Sequence, residues 1–180
     1  MRLTTKIWQL VSALRRSMYL AVVASRRHKK LGRTMSENYD EYAFHDNRIH
    51  GVSFVAENFR SEIHLDIDCI LGWPDCESAL EVPPRFKVSK AVLSFFHVTD
   101  FEMNIDWGAS GFTSAVSGIY IDRLTRQEAI TSLRLPTYYL WSIVFTDDKS
   151  RFSLGASACQ LKLIGDPIVV ERQHLLSAER

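Results

Sequence analysis

Glycine, proline and cysteine are scarce in this chain, and it has no long apolar run. Its 180 residues include 8 Gly, 5 Pro and 3 Cys. So little glycine and proline excludes collagen-like and linker-dominated architectures, while 46% hydrophobic residues argue against a disordered chain. No apolar run approaches the about 20 residues that a membrane-spanning helix needs. The length therefore suits one ordinary domain with a sizeable core.

The motifs of several common enzyme classes are also missing. No serine stands in a Gly-x-Ser-x-Gly pattern, and neither a glycine-rich phosphate loop nor a dinucleotide-binding fingerprint is present. Cys69, Cys76 and Cys159 lack the paired spacing of a zinc site, and such free thiols suit a reducing compartment. The sequence therefore indicates no cofactor, and we expect a cytoplasmic protein that is not an enzyme.

Charge is distributed unevenly along the chain. Residues 1–34 carry nine of the 22 Lys and Arg and no acid, so residues 35–180 hold 13 basic and 21 acidic groups, a net charge of −8. This asymmetry predicts a basic leader, 1–34, before a single acidic domain, 35–180. The leader has three interpretations: an over-extended reading frame with Met35 as the natural start, an amphipathic helix on an anionic membrane, or a signal peptide. We expect membrane contact only through this leader, and no nucleic-acid binding by the acidic domain.

Residues 35–180 show the pattern of antiparallel β-structure. In residues 62–69 every second residue is apolar, a period of two that predicts one buried and one wet face. Short polar turns predict three hairpins, which pair residues 49–55 with 59–69, 88–98 with 101–107, and 138–145 with 151–159. Further strands are predicted over residues 115–121 and 161–170, the second at a sheet edge because it contains Pro167.

Helical signals are few. Thr125 and Glu128 have the spacing of a capping box, which predicts a short helix over residues 126–133. The last residues, 174–180, either form a short helix or fray. Seven to eight short strands without βαβ alternation predict a mainly β fold, either an antiparallel β-sandwich or a flattened barrel, after a helical or disordered leader.

Histidines and carboxylates are concentrated around the first predicted hairpin. They give a metal-site hypothesis whose ligands are His45, Asp46, His50, His64 and Asp66. Residues two apart on a strand are about 7 Å apart, so a row of them does not chelate one ion unaided. A solvated strand face gives the same pattern, and we favour that interpretation.

Two tryptophans, Trp73 and Trp107, stand at predicted strand ends beside Pro or Gly. Such rings either cover the edge of a core, which we favour, or stack on a ligand, as in a carbohydrate-binding β-sandwich. Our first hypothesis is a non-enzymatic interaction module that binds a basic protein partner through its acidic surface, and the metal site and the carbohydrate-binding sandwich are the alternatives to it. Its expected partner-binding residues are these two tryptophans and the acids of the first hairpin, Glu62, Asp66 and Asp68.

Three segments resemble a known group of proteins: Phe-His-Asp-Asn-Arg-Ile-His-Gly over residues 44–51, Leu-Asp-Ile-Asp-Cys-Ile over 65–70 before Trp73, and Asn-Ile-Asp-Trp over 104–107. Together they resemble small bacterial all-β proteins of unknown function, some of which are similar to immunity proteins encoded beside toxins. The resemblance covers most of residues 39–175 and implies a cytoplasmic module without demonstrated catalysis. It also implies a start near Met35, and it identifies no functional residues.

Overall fold

A computed structural model describes residues 39–58, 60–73, 83–108, 118–132, 135 and 137–180. Eight antiparallel strands form one sheet in the order β4-β7-β6-β5-β1-β2-β3-β8. They are β1 (Arg48–Glu57), β2 (Arg60–Gly72), β3 (Phe86–Phe96), β4 (Asp100–Asn104), β5 (Ile119–Glu128), β6 (Tyr139–Phe145), β7 (Arg151–Ala156) and β8 (Ala158–Val170). The prediction of a mainly β, antiparallel fold is confirmed. Within the described ranges, the helical residues are confined to two 3-10 turns, Tyr39–Glu41 and Ser177–Glu179.

The two ends of the sheet meet at a corner, where β3 continues into β4 through residues 97–99 and β7 continues into β8 through Ser157. Across this corner the Ser157 N–H donates to the Phe96 carbonyl and the Thr99 N–H donates to the Gly155 carbonyl, both over 3.0 Å. The β3–β8 ladder therefore runs on into the β4–β7 ladder, and the sheet folds over into a flattened barrel in which β4 and β8 each keep one side that no described strand pairs with.

One core fills the space between the two halves of the sheet. The apolar residues of β2 that alternate in the sequence, Ile63, Leu65, Ile67 and Cys69, are all buried. Phe95 of β3 meets Trp141 of β6 edge-on with the ring centroids 5.3 Å apart, so both halves contribute to the same core. Burial raises the pKa of the Cys69 thiol to about 12, which keeps this group protonated and unreactive.

Two of the predicted hairpins are confirmed. Asn58 takes a positive φ of 52° in the turn between β1 and β2, a conformation that asparagine tolerates better than most residues. In the turn between β6 and β7, Asp147 Oδ1 accepts from the Lys149 and Ser150 N–H groups over 3.1 and 2.8 Å. The prediction that residues 161–170 form an edge strand is also confirmed, because β8 pairs only with β3 among the described strands.

Three predictions of local structure are wrong. β3 and β4 do not form a hairpin, because residues 97–99 carry the chain into the other half of the sheet, where β4 pairs with β7. Residues 151–159 are two strands rather than one, since the corner at Ser157 interrupts them. The predicted helix over residues 126–133 is strand as far as Glu128, because β5 pairs with β6 there and Arg126 lies over the rings of Tyr139 and Trp141.

Several predictions lie outside the described residues. These are the leader, residues 1–34, the first part of the predicted strand over 115–121, and Cys76. In the part of the chain that the structure describes, no helix has the length and apolar character needed to cross a membrane.

Candidate functional site

His45 and Asp46, the first two predicted metal ligands, lie in the loop before β1. His45 Nδ1 is 2.9 Å from the backbone oxygen of Asp122, and His45 Nε2 is 3.4 Å from the Asp46 carboxylate. The imidazole also stacks on Trp73 with a centroid separation of 6.5 Å. Gln173 donates to the same Asp46 carboxylate over 3.1 Å. These contacts hold the loop against β5 and against the end of the chain.

Asn47 fixes the start of β1. Its side chain is fully buried, where Oδ1 accepts from the Ile70 N–H over 3.0 Å and the backbone carbonyl accepts from the Ile121 N–H over 3.0 Å. The loop is thereby tied to both β2 and β5. Asn47 therefore has a structural role, since a buried amide with its partners satisfied leaves little capacity to bind a ligand.

Asp68 occupies the centre of a polar cluster on the outer face of β2. Its side chain has no exposed area. The carboxylate accepts from His50 Nε2 over 2.7 Å, from the Leu175 N–H over 2.9 Å, and from the guanidinium of Arg180, which also binds Asp66. Two of these donors belong to residues 171–180, a segment that we call the strap. Asp68 is thus the anchor of the strap.

Apolar packing completes the docking of the strap. Leu175 is buried in a small cluster with Ile70, Phe86 and Val88, separate from the main core. The neighbouring His174 places Nδ1 3.1 Å from the Tyr120 hydroxyl. Burial, followed by the nearby Arg48 charge, lowers the pKa of His174. The strap therefore covers the outer face of β2 and β3 at the end of the barrel where β1 begins.

The remaining predicted metal ligand, His64, lies farther along β2 in its own set of contacts. Its Nε2 is 3.0 Å from the Glu62 carboxylate, and its Nδ1 is 3.0 Å from Ser94 Oγ. The structure therefore places the five predicted ligands in three groups, around Asp46, Asp68 and Glu62. Among the residues that the structure describes, no three His, Cys, Asp or Glu side chains are arranged to hold a metal ion.

Two exposed acids lie on β4, at one end of the strand order. Asp100 and Glu102 are exposed, and the apolar residues beside them are exposed as well: Met103 to 52% and Phe54 of β1 to 63%. Phe54 meets Phe101 with centroids 5.6 Å apart, and Phe101 rests on the core residue Phe152 at 5.5 Å. We call this surface, formed by Phe54, Asp100, Glu102 and Met103, the acidic edge.

A shallow groove borders the acidic edge on the outer face of β5, β6 and β7. It has a volume of about 500 Å³, and its lining mixes apolar side chains, such as Leu140, with the charged Asp100 and Arg126 and with polar side chains such as Ser142 and Ser153. Tyr138 crosses β7 at its rim, with its hydroxyl donating to Asp100 over 3.3 Å. A Cβ atom on Gly155 would lie 1.9 Å from that hydroxyl, so glycine is required where Tyr138 crosses.

The two predicted tryptophans lie in different surroundings. Trp73 is partly buried between His45 and Phe86, with the Phe86 centroid 5.7 Å away, so it covers the apolar cluster beneath the strap. Trp107 follows β4 by three residues and is 38% exposed. Sequence reasoning missed Asp100, Glu102 and Met103, although acids and apolar residues alternate there as they do on β2.

No protein-family model matches the chain, and no curated protein is significantly similar to it. The chemistry of the residues described above is therefore the basis for a function.

Proposed function

We propose that the protein is a non-enzymatic interaction module, of the immunity-protein kind, that binds a basic protein partner through its acidic edge. The observation that carries this proposal is the composition of that edge. Two exposed carboxylates, on Asp100 and Glu102, lie on one face of β4, and the exposed Met103 lies on the other face, where the exposed Phe54 meets Phe101. Protein interfaces combine polar and apolar groups, and a partner at the edge of β4 has access to both faces.

The charge of residues 35–180, taken without the basic leader, supports a basic partner. Residues 35–180 carry a net charge of −8, so a positively charged protein is attracted before contact and its association is accelerated. Glu102 makes the stronger contribution to selectivity, since Asp100 already accepts from Thr99 and Tyr138. A carboxylate without such internal donors is available to a lysine or arginine of the partner.

The acids that the sequence offered for the same role have less surface available. Asp68 is fully buried, and the Glu62 side chain is 14% exposed and bound to His64. Asp66 retains more exposure but binds Arg180. We therefore centre the proposed surface on β4, with Trp107 at its end, rather than on β2.

Partner capture from the native host across a salt series tests this proposal. We expect a basic protein to bind the full chain at low salt, and the purified pair to bind less tightly as ionic strength rises. Glu102→Lys should weaken the pair about tenfold, equivalent to about 1.4 kcal/mol, because it places like charges together.

Asp166→Lys on β8 is the matched control, since Asp166 is an exposed acid on a strand away from the acidic edge. It makes the same change in net charge and should leave affinity within about twofold of the original. Recovery of no basic partner at any salt concentration would contradict the proposal. So would a partner that binds the Glu102→Lys and Asp166→Lys variants equally well.

A further inference from the structure

We propose that the partner binds by adding one strand to the edge of β4 that faces away from β7, and that this strand alternates basic and apolar residues. The inference rests on the function proposed above and specifies how the acidic edge recognises its partner. It is carried by the pairing of β4, by the alternation of its side chains, and by a contrast with the strand at the other end of the sheet.

Among the described strands, only β7 pairs with β4, and it does so along one side. All five residues, from Asp100 to Asn104, take part in this pairing. The backbone groups on its second side therefore point away from the sheet. An extended peptide can bind such groups with main-chain hydrogen bonds, which supply affinity, while its side chains supply specificity.

The side chains of β4 define what such a peptide must carry. Asp100, Glu102 and Asn104 share one face of the strand, and Phe101 and Met103 share the other. Residues on one face repeat about every 7 Å, which is the spacing of alternate residues in an incoming strand. Lysine or arginine at every second position would oppose the carboxylates, and the intervening apolar residues would extend the surface of Met103 and Phe54.

The same acids exclude a second copy of this chain. Pairing of two β4 strands would bring Asp100 and Glu102 of both copies onto one small surface, and like charges opposite each other destabilise a sheet. β8, the other terminal strand, has different features that hinder pairing, namely Lys162, Pro167 and Gly165 with a φ of 78°. β4 contains neither proline nor lysine, so its edge is selective by charge rather than blocked.

A model peptide separates strand addition from simple charge attraction. The probe is a capped Lys-Val-Lys-Val-Lys-Val-Lys peptide, and its analogues carry methyl groups on every second backbone nitrogen, in each of the two alternating patterns. N-methylation keeps the charge and removes strand hydrogen bonds. Binding to the full chain is followed by the amide NMR signals of residues 100–104 and by their hydrogen exchange.

We expect the parent peptide to shift these amide signals and slow their exchange. At least one methylated pattern should bind about tenfold more weakly, and Glu102→Lys should weaken the parent peptide to a similar extent while Asp166→Lys does not. Equal binding of the parent and both analogues would overturn strand addition but leave the acidic interaction module intact. Absence of shifts at residues 100–104 would also overturn strand addition, whereas partner capture decides the proposed function independently.

Discussion

Two strands of this protein carry similar rows of alternating acids, and the structure uses the two rows in opposite ways. On β2 the row ends at Asp68, which is fully buried and receives donors from His50, Leu175 and Arg180. On β4 the corresponding acids, Asp100 and Glu102, are exposed beside apolar side chains. One row holds the chain together, and the other faces solvent.

The difference arises from what lies over each strand. The alternation of residues determines which side chains share a face, but another segment determines whether that face is wet. The strap that covers Asp68 contributes Leu175, which is 107 residues away in the chain. A buried carboxylate is tolerated there because nearby donors compensate for its loss of hydration.

We expect the largest difference between the two rows in the free energy of unfolding when one acid of each row is replaced. Asp68→Ala leaves the buried Leu175 N–H and His50 without their acceptor and leaves the Arg180 guanidinium with Asp66 alone, and we expect it to lower the free energy of unfolding by about 3–5 kcal/mol. Glu102→Ala removes an exposed acid and should change the free energy of unfolding by less than about 0.5 kcal/mol. Urea unfolding of the full chain measures both values.

Asp68→Asn distinguishes the lost acceptor from the lost charge. It keeps an oxygen for the Leu175 N–H and should cost less than Asp68→Ala. Equal stability of the Asp68→Ala and Glu102→Ala variants would show that the strap does not depend on Asp68, and the contrast between the two rows would then be wrong.

A second, smaller effect tests the apolar part of the strap. Leu175 is 3% exposed and packs on Ile70, Phe86 and Val88, whereas its neighbour Leu176 is 52% exposed. We expect Leu175→Ala to lower the free energy of unfolding by about 2–3 kcal/mol, which is near the low end for a buried leucine because the cluster is small. It should also speed hydrogen exchange throughout residues 171–180.

Leu176→Ala is the matched control because it makes the same chemical change one residue along. It should alter the free energy of unfolding by less than about 0.5 kcal/mol and leave exchange in the strap unchanged. If the two variants lose similar amounts of unfolding free energy, Leu175 does not pack against Ile70, Phe86 and Val88 in solution.

Much of the fold follows from local sequence pattern. The alternation in β2 and the turn residues Asn58 and Asp147 predict two hairpins, because each turn depends on local chemistry: a positive φ at Asn58, and hydrogen bonds from Lys149 and Ser150 to Asp147. The predictions failed at β3–β4, at Ser157 and in β5. At the first two positions the chain turns a corner between the halves of the sheet, and in β5 pairing with β6 overrides a capping-box spacing.

The site was harder to predict, for a related physical reason. His50 stands between His45 and His64 in the sequence, yet its carboxylate partner is Asp68, 18 residues away on β2. Recognition of Glu102 as an exposed acid requires knowing that β4 lies at the end of the strand order. Neither fact is present in a local pattern, since both depend on which distant segments meet.

The smallest effect concerns the pH dependence of the strap. Burial and the nearby Arg48 charge lower the pKa of His174 in the folded chain, so the unfolded chain takes up a proton first as the pH falls through about 6.5. His174 therefore makes the folded chain lose stability as the pH falls from above 6.5 toward the lower folded pKa. His174→Gln removes this titration while retaining a polar group near Tyr120. Between pH 7.5 and 5, a range around the unfolded value of about 6.5, the unfolding free energy of the variant should therefore fall less than that of the original chain. Parallel pH profiles for the two chains, measured by urea unfolding, would show that His174 is not held under the strap in its neutral form.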